Sequence, residues 1–223
     1  MMNINWFKKT LLISVLSLII IFLLVNLEFL FNFFPPSDVV SSKWDAVKNK
    51  INDGTVLNQI KNGTIDIEFE NFFNRDPDRY LPSFNNIIVS PADGIIKNIT
   101  ENPDNYTIVI SINLSDVHVQ RIPISGKIIS VEKMGKENTS DFQVTTTIGT
   151  KIGIVTVTQR SGKITRKILT FVKLGDQVSI GDKLGRIMLG STAIIVLPKN
   201  IKIIVYPTIQ VYAGTSILAK YYS

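Results

Sequence analysis

The chain contains no cysteine and a single histidine, His118. The first absence excludes disulfides, a thiolate nucleophile and any cysteine-ligated metal. The second excludes a histidine-rich metal site, and no metal is expected. Acidic residues are scarce towards one end. Residues 151–223 carry 11 Lys+Arg against 2 Asp+Glu, whereas residues 1–150 carry 13 against 16, in a chain of net charge +6. A basic C-terminal third suits anionic lipid headgroups, and it is equally the pattern of a solvated basic face. Aromatic residues are not interleaved with these cations as base stacking requires, which argues against nucleic acid as a partner. Repeats of fixed period are missing, and no helical-period segment of length interrupts residues 86–223.

One long apolar run is present. Lys8 and Lys9 precede Leu11 to Val25, interrupted only by Ser14 and Ser17; Asn26 and Glu28 break it, and Phe29 to Phe34 resume it before Pro35-Pro36. Extended to Leu30 it holds about 20 residues, enough helix for a bilayer core of about 30 Å. No small-x-small cleavage site follows it, so an anchor is favoured over a removed signal peptide. Residues 1–36 are therefore expected to form an N-terminal hydrophobic membrane helix that holds the protein at the cell membrane. The two lysines favour a cytoplasmic N-terminus, which puts the domain outside if the segment spans once, whereas a re-entrant hairpin or interfacial helix keeps it inside.

Residues 37–71 read as a linker with a short helix. Ser42 is a candidate N-cap, Lys43 to Ile51 the helix, and Asn52-Asp53-Gly54 the turn that ends it. Ile65 to Glu70 alternates apolar and acidic residues, the pattern of a half-exposed strand. Short runs rich in Ile, Val and Thr follow at Tyr106–Ile112, Thr145–Ile148, Ile152–Thr158, Lys167–Val172, Ala193–Leu197 and Ile201–Tyr206, most of them separated by Gly, Asp, Asn or Pro. The expected fold class is mostly β: an antiparallel β barrel or sandwich-like domain over residues 72–223, with a short helix before it.

Four islands could carry chemistry. Phe72-Phe73-Asn74-Arg75-Asp76-Pro77-Asp78-Arg79 is either a charged loop with an aromatic plug or a lipid-facing segment whose arginines hold phosphate. Ser90-Pro91-Ala92-Asp93-Gly94 follows an apolar run, and Asp-Gly there is ordinary turn chemistry or a positioned carboxylate. Asp116-Val117-His118-Val119-Gln120-Arg121 contains the only side chain whose unperturbed pKa lies near neutrality, so a general acid–base step at pH 7 would use His118. Gly190-Ser191 precedes an apolar strand. A serine after a glycine can attack the glycine carbonyl through its own hydroxyl, and a residue without Cβ tolerates the strained approach. The ester formed can eliminate to dehydroalanine, which hydrolyses to a pyruvoyl group with loss of ammonia.

In order and spacing these islands resemble the phosphatidylserine decarboxylase family, especially its short archaeal-type branch acting on archaetidylserine or phosphatidylserine. The resemblance runs from about Phe72 to the C-terminus through Phe-Phe-(Asn)-Arg-Asp-Pro-x-Arg, Ser-Pro-Ala-Asp-Gly, Asp-Val-His-Val-x-Arg-x-Pro-x-x-Gly and Gly-Ser. Gln159 with Gly162, and Thr165-Arg166-Lys167-Ile168, extend it. It implies a proenzyme cut between Gly190 and Ser191 into a β chain of residues 1–190 and an α chain of residues 191–223. The covalent cofactor would be a pyruvoyl group derived from Ser191, an electron sink for decarboxylation. Asp93 and His118 match the family's acid–base machinery, and Arg75, Arg79 and Arg121 are the expected substrate-binding cations. The substrate would be a membrane phospholipid bearing serine, the product its ethanolamine counterpart, and a homodimer is compatible with this reading. Asn74 is an insertion in the first motif. Thr165 and Lys167 replace a small residue and an arginine, and Arg121 stands where longer members carry a second histidine. Two rival readings remain: an inactive, lipid-binding member, or a non-enzymatic membrane adaptor. The Gly175-Asp176-x-Val178-x-x-Gly181-x-x-Leu184-Gly185 stretch suits the barrel–sandwich hairpins of export adaptors.

Overall fold

A computed structural model describes residues 16–17, 42–137, 139, 141–162, 167–188 and 191–222. Among the described residues, three short helices lie between Asp45 and Phe73, ahead of the β domain. A 3-10 turn at Ser42–Trp44 leads into α1 (Asp45–Asn52), followed by α2 (Thr55–Asn62) and α3 (Ile67–Phe73). The short helix expected at 43–51 is thus present, although Ser42 opens the 3-10 turn rather than capping the helix. The turn at Asp53-Gly54 also lies where expected. Its Gly54 and the Gly63 that ends α2 both take left-handed backbone (φ 83 and 69), which glycine adopts without steric cost.

Two expectations are corrected. Among the described residues, no helix is long and apolar enough to cross a membrane, so the fold class loses its membrane helix. Most of the apolar run over residues 11–34 lies outside the described residues. Second, Ile65 to Glu70 is no strand. Asp66 takes extended backbone and its Oδ1 accepts a hydrogen bond from the Phe69 N–H at 2.8 Å, capping α3. Phe69, Phe72 and Phe73 then fall at helical spacing and are all buried. They pack with Val47 of α1 and Val56 of α2 in a small core of their own. The apolar–acidic alternation mimicked a strand because Glu68 and Glu70 fall on the solvent side of a helix only two turns long.

The β domain comprises fourteen strands among the described residues: β1 (Ile87–Val89), β2 (Gly94–Glu101), β3 (Asn105–Ile112), β4 (Val119–Arg121), β5 (Gly126–Met134), β6 (Gln143–Thr150), β7 (Gly153–Arg160), β8 (Ile168–Thr170), β9 (Gln177–Val178), β10 (Lys183–Ile187), β11 (Ser191–Pro198), β12 (Ile201–Ile203), β13 (Gln210–Val211) and β14 (Ile217–Tyr221). They form one eight-stranded sheet, ordered β13-β2-β3-β11-β7-β6-β5-β9, and two three-stranded sheets, β1-β14-β12 and β4-β10-β8. The pairings are antiparallel. The β part of the expected fold class therefore stands. Burial alternates along β3, β6, β7 and β11, as it does when one face of a sheet covers a core. That core gathers Ile88, Ile96, Ile110, Ile128, Val157, Leu184, Ile195 and Leu218 from all three sheets.

Candidate active site

Ser191 is the first residue of β11, paired across from Ile112 of β3. Its Oγ is buried and, among the described residues, has no hydrogen-bond partner, an unusual state for a hydroxyl inside a protein. Gly190 lies outside the described residues. The strand leading towards Ser191 is β10, and Met188, just past its end, packs against the helical core of α1–α3.

His118 is held beside that same segment. Its carbonyl accepts from the Ile187 N–H at 3.2 Å and from Gln120 Nε2 at 2.8 Å. Gln120 Oε1 in turn accepts from Gln159 Nε2 at 2.8 Å, and Gln159 of β7 pairs across from Ala193 of β11. A buried glutamine relay thus ties the His118 backbone to the strand that Ser191 begins. The imidazole is fully buried against the Phe73 ring, with centroids 4.3 Å apart. Among the described residues, neither ring nitrogen has a hydrogen-bond partner. Desolvation lowers the His118 pKa from 6.5 to about 3; the Asp116 backbone opposes this, while the Arg75 and Arg186 cations add to it. At neutral pH the ring is uncharged, and its burial makes it a weak base.

Asp93 is 1% exposed. Its Oδ1 accepts from the Ala213 N–H at 2.7 Å and its Oδ2 pairs with Arg79 Nη2 at 3.0 Å. The turn before it is held by Ser90 Oγ, which donates to the Ala92 carbonyl, and by the Arg121 N–H, which donates to the Pro91 carbonyl. Gly94 follows because its φ is 146 and a Cβ there would overlap the Ser111 carbonyl. Ser111 sits between Ile95 of β2 and Thr192 of β11 in register. Two strand spacings, about 10 Å, therefore separate the backbones near Asp93 and Ser191.

The three expected substrate cations have protein partners. Arg75 donates to the Phe72 and Ser115 carbonyls at 2.8 and 2.6 Å and covers the Phe72 ring. Arg79 holds Asp93. Arg121 pairs with Asp76 at 2.8 Å and donates to the Pro77 and Gly181 carbonyls. Together they fasten the 72–79 segment onto the β domain. Its two phenylalanines are buried, so they form the aromatic plug and not an exposed membrane contact. The inserted Asn74 caps α3, and its side-chain and backbone oxygens both accept from Arg186.

A cavity of about 320 Å³ opens among these groups, lined by Asp93, Asp116, Arg75, Lys48, Ser115 and Tyr212. Asp116 is the residue that sequence reasoning passed over. Burial raises its pKa from 3.8 to about 6, a hydrogen bond from the Asn113 N–H pulls it down, and the Asp93 charge pushes it further up. Two acids and two cations thus line one cavity, and the neutral His118 follows Asp116 by two residues. The sequence signal for Asp116 was its place at the head of the Asp-Val-His-Val motif, two residues before the lone histidine, where no role was given to it.

An orphaned hydroxyl at a strand end, a neutral buried imidazole tied to the same strand, and a cavity holding two carboxyl groups define a small β enzyme with water-shielded reactive groups. The chain belongs to the phosphatidylserine decarboxylase family, whose family model matches residues 68–219. It is an enzyme of the carboxy-lyase class, which removes the adaptor reading. It is 34% identical over 169 residues to the phosphatidylserine decarboxylase proenzyme of Chlorobaculum parvum, covering 69% of this chain and 79% of that protein. It is 36% identical over 166 residues to the protein of the same name from Carboxydothermus hydrogenoformans, covering 67% and 78%. A relative from Methanothermobacter thermautotrophicus, assigned the name archaetidylserine decarboxylase proenzyme, is 34% identical over 182 residues, covering 70% and 82%. No solved structure matches the chain.

Proposed function

We propose that this chain is a proenzyme that cuts itself between Gly190 and Ser191 and then decarboxylates a serine-bearing phospholipid to its ethanolamine counterpart. The observation that carries the reading is Ser191 Oγ, buried and unpartnered at the start of β11, in a chain whose relatives are named decarboxylase proenzymes. In self-cleavage the Ser191 Oγ attacks the Gly190 carbonyl carbon and the Gly190–Ser191 C–N bond breaks, leaving an ester. The Ser191 Cα loses its proton and the Cβ–O bond breaks, freeing residues 1–190 with a C-terminal carboxylate. Water then replaces nitrogen on the remaining dehydroalanine, and ammonia leaves. The neutral His118 is the candidate to accept the Ser191 hydroxyl proton, being uncharged at neutral pH, while its desolvation makes it a weak base that a nearby anion would strengthen. Asp93, fixed by Arg79 and Ala213, anchors the turn that positions β2 beside β3.

Ser191 also fits the pyruvoyl cofactor, because its Cα, which would become the ketone carbon, is held at the start of β11 by pairing with β3. When formed, that group would supply an electron sink for the carboxylate carbon's bonding pair. The rest of the work falls to the chain. Arg75 and Lys48 give the cavity a cationic wall for an anionic headgroup, with Arg79 set behind Asp93. An anionic headgroup beside His118 raises the ring's pKa back towards its ordinary value, so His118 carries a proton to the substrate carbon with lipid bound. Asp116, already raised to about 6, is the second proton carrier facing the cavity. The serine headgroup defines the substrate. The lipid brings the enzyme to a membrane surface.

The reading is tested by following CO2 release from phosphatidylserine in detergent. The wild-type chain is expected to release it and Ser191→Ala not. His118→Ala is expected to lose decarboxylation; an active His118→Ala variant would overturn the role given to that ring.

A further inference from the structure

Away from the cavity, a groove of about 660 Å³ runs between β5 and β8. Its walls and rim include Ile129, Leu169 and Leu174, with Lys133, Lys167 and Lys173 among them. Leu174 is 70% exposed and the neighbouring Phe171 48%. A contiguous apolar patch rimmed by polar groups marks an interaction surface. We propose that this face docks on an anionic phospholipid bilayer, with Phe171 and Leu174 entering the headgroup layer while the lysines meet lipid phosphates. The inference rests on the reading of the substrate as a membrane lipid.

Three observations select that occupant. The groove's lining carries three lysines and one acid, Glu137, which is paired with Lys133; each lysine near an anionic leaflet adds favourable energy. Phe171 and Leu174 lie on the short connection between β8 and β9, where aromatic and aliphatic side chains can enter an interface without disturbing a sheet. One end of the groove is tied to the chain that leads to Ser191. The Lys167 carbonyl accepts from the Met188 N–H at 2.9 Å, and Met188 is three residues before Ser191, at most about 11 Å of extended chain. A lipid in the leaflet under this face could present its headgroup near Ser191 while its tails stay in the membrane.

The absence of native cysteine allows a site-specific test on the full chain. Leu174→Cys carries an environment-sensitive fluorophore, and Asp104→Cys, at the exposed turn between β2 and β3, carries the same label as control. With phosphatidylglycerol-containing vesicles, the label at 174 is expected to brighten at least about twofold, shift to the blue and be quenched by nitroxide lipids, while that at 104 stays unchanged. Lys167→Gln with Lys173→Gln should weaken the response to anionic vesicles by roughly 25-fold, about fivefold per lysine. An unchanged label at 174 on vesicles that co-sediment with the protein would overturn the proposal. So would an equal response on phosphatidylcholine alone, or a response to protein concentration without vesicles, which would assign the face to a second copy. Phe171→Ser with Leu174→Ser should cut turnover of vesicle-borne phosphatidylserine by about tenfold and spare a short-chain serine lipid below its micelle concentration. A wild-type chain inactive on both substrates would fail the proposed function instead, and the fluorescence would still decide the docking.

Discussion

His118 loses its charged form on burial, its pKa falling from 6.5 to about 3, while Asp116 rises from 3.8 to about 6. These shifts act on stability in opposite senses. Between pH 3 and 6.5 the unfolded chain binds a proton at His118 that the folded chain refuses, so this contribution is full above pH 6.5 and is lost as pH falls towards 3. For Asp116 the folded chain holds the proton more tightly, so its contribution is present below pH 3.8 and lost as pH rises through 6. Their slopes largely cancel between about pH 4 and 6, which a variant can undo. Relative to His118→Gln, the wild type should lose a few kcal/mol of unfolding free energy between pH 7 and pH 4, at about 1.4 kcal/mol per pH unit, read from urea midpoints. A constant difference across that range would contradict a buried, neutral His118. Rarity alone brought out His118, and the Gly-Ser pair brought out Ser191. Asp116 stayed hidden because what distinguishes it is desolvation, and one acid among 18 Asp+Glu carries no mark of its burial.

The helices are where local pattern misled most. In α3 a single Asx cap and three phenylalanines outweigh an apolar–acidic alternation. Asp66→Ala should cost about 1 kcal/mol through the lost cap. Phe72→Ala, at a fully buried position against Trp44 and Arg75, should cost about 3–5 kcal/mol. Both are measured by chemical denaturation, and a near-neutral Phe72→Ala would contradict the packing of α3 over the site. α2, with the sequence TVLNQIKN, went unread because eight residues between two glycines offer too little periodicity. The strands read well wherever Ile, Val and Thr cluster between turn residues. Strands outside those runs went unread, among them β5, Gly126–Met134, whose lysines and glutamate obscure it, and β14, Ile217–Tyr221. The glutamine relay belongs to this scale too. Gln159→Leu leaves the Gln120 carbonyl oxygen unpaired in the core and should slow self-cleavage severalfold with the fold retained, followed by gel over time. Unchanged processing would reduce the relay to core filling.

Strand order assembles the site, and it was not legible in the sequence. Asp93 and Ser191 are far apart along the chain, yet β2, β3 and β11 lie side by side; such pairing depends on long-range register that no local run encodes. β4 and β10 meet across a similar separation and bring His118 next to Ile187. The antiparallel β class was readable, the arrangement of three sheets around one core was not, and the expected membrane helix is not among the described helices. At this scale the proposed function makes the chain one folded body that would cut itself once, leaving β11 to β14 packed in the domain that made the cut. The measurement is the intact mass of the purified full-length protein beside Ser191→Ala. Two fragments are expected from the wild type, residues 1–190 and residues 191–223, the smaller lacking a free amine and lighter by one ammonia, about 17 Da, than a chain beginning with serine. Ser191→Ala should give one uncut chain. A catalytically active wild-type protein of a single uncut mass, or a small fragment with an unmodified N-terminal serine, would contradict the account.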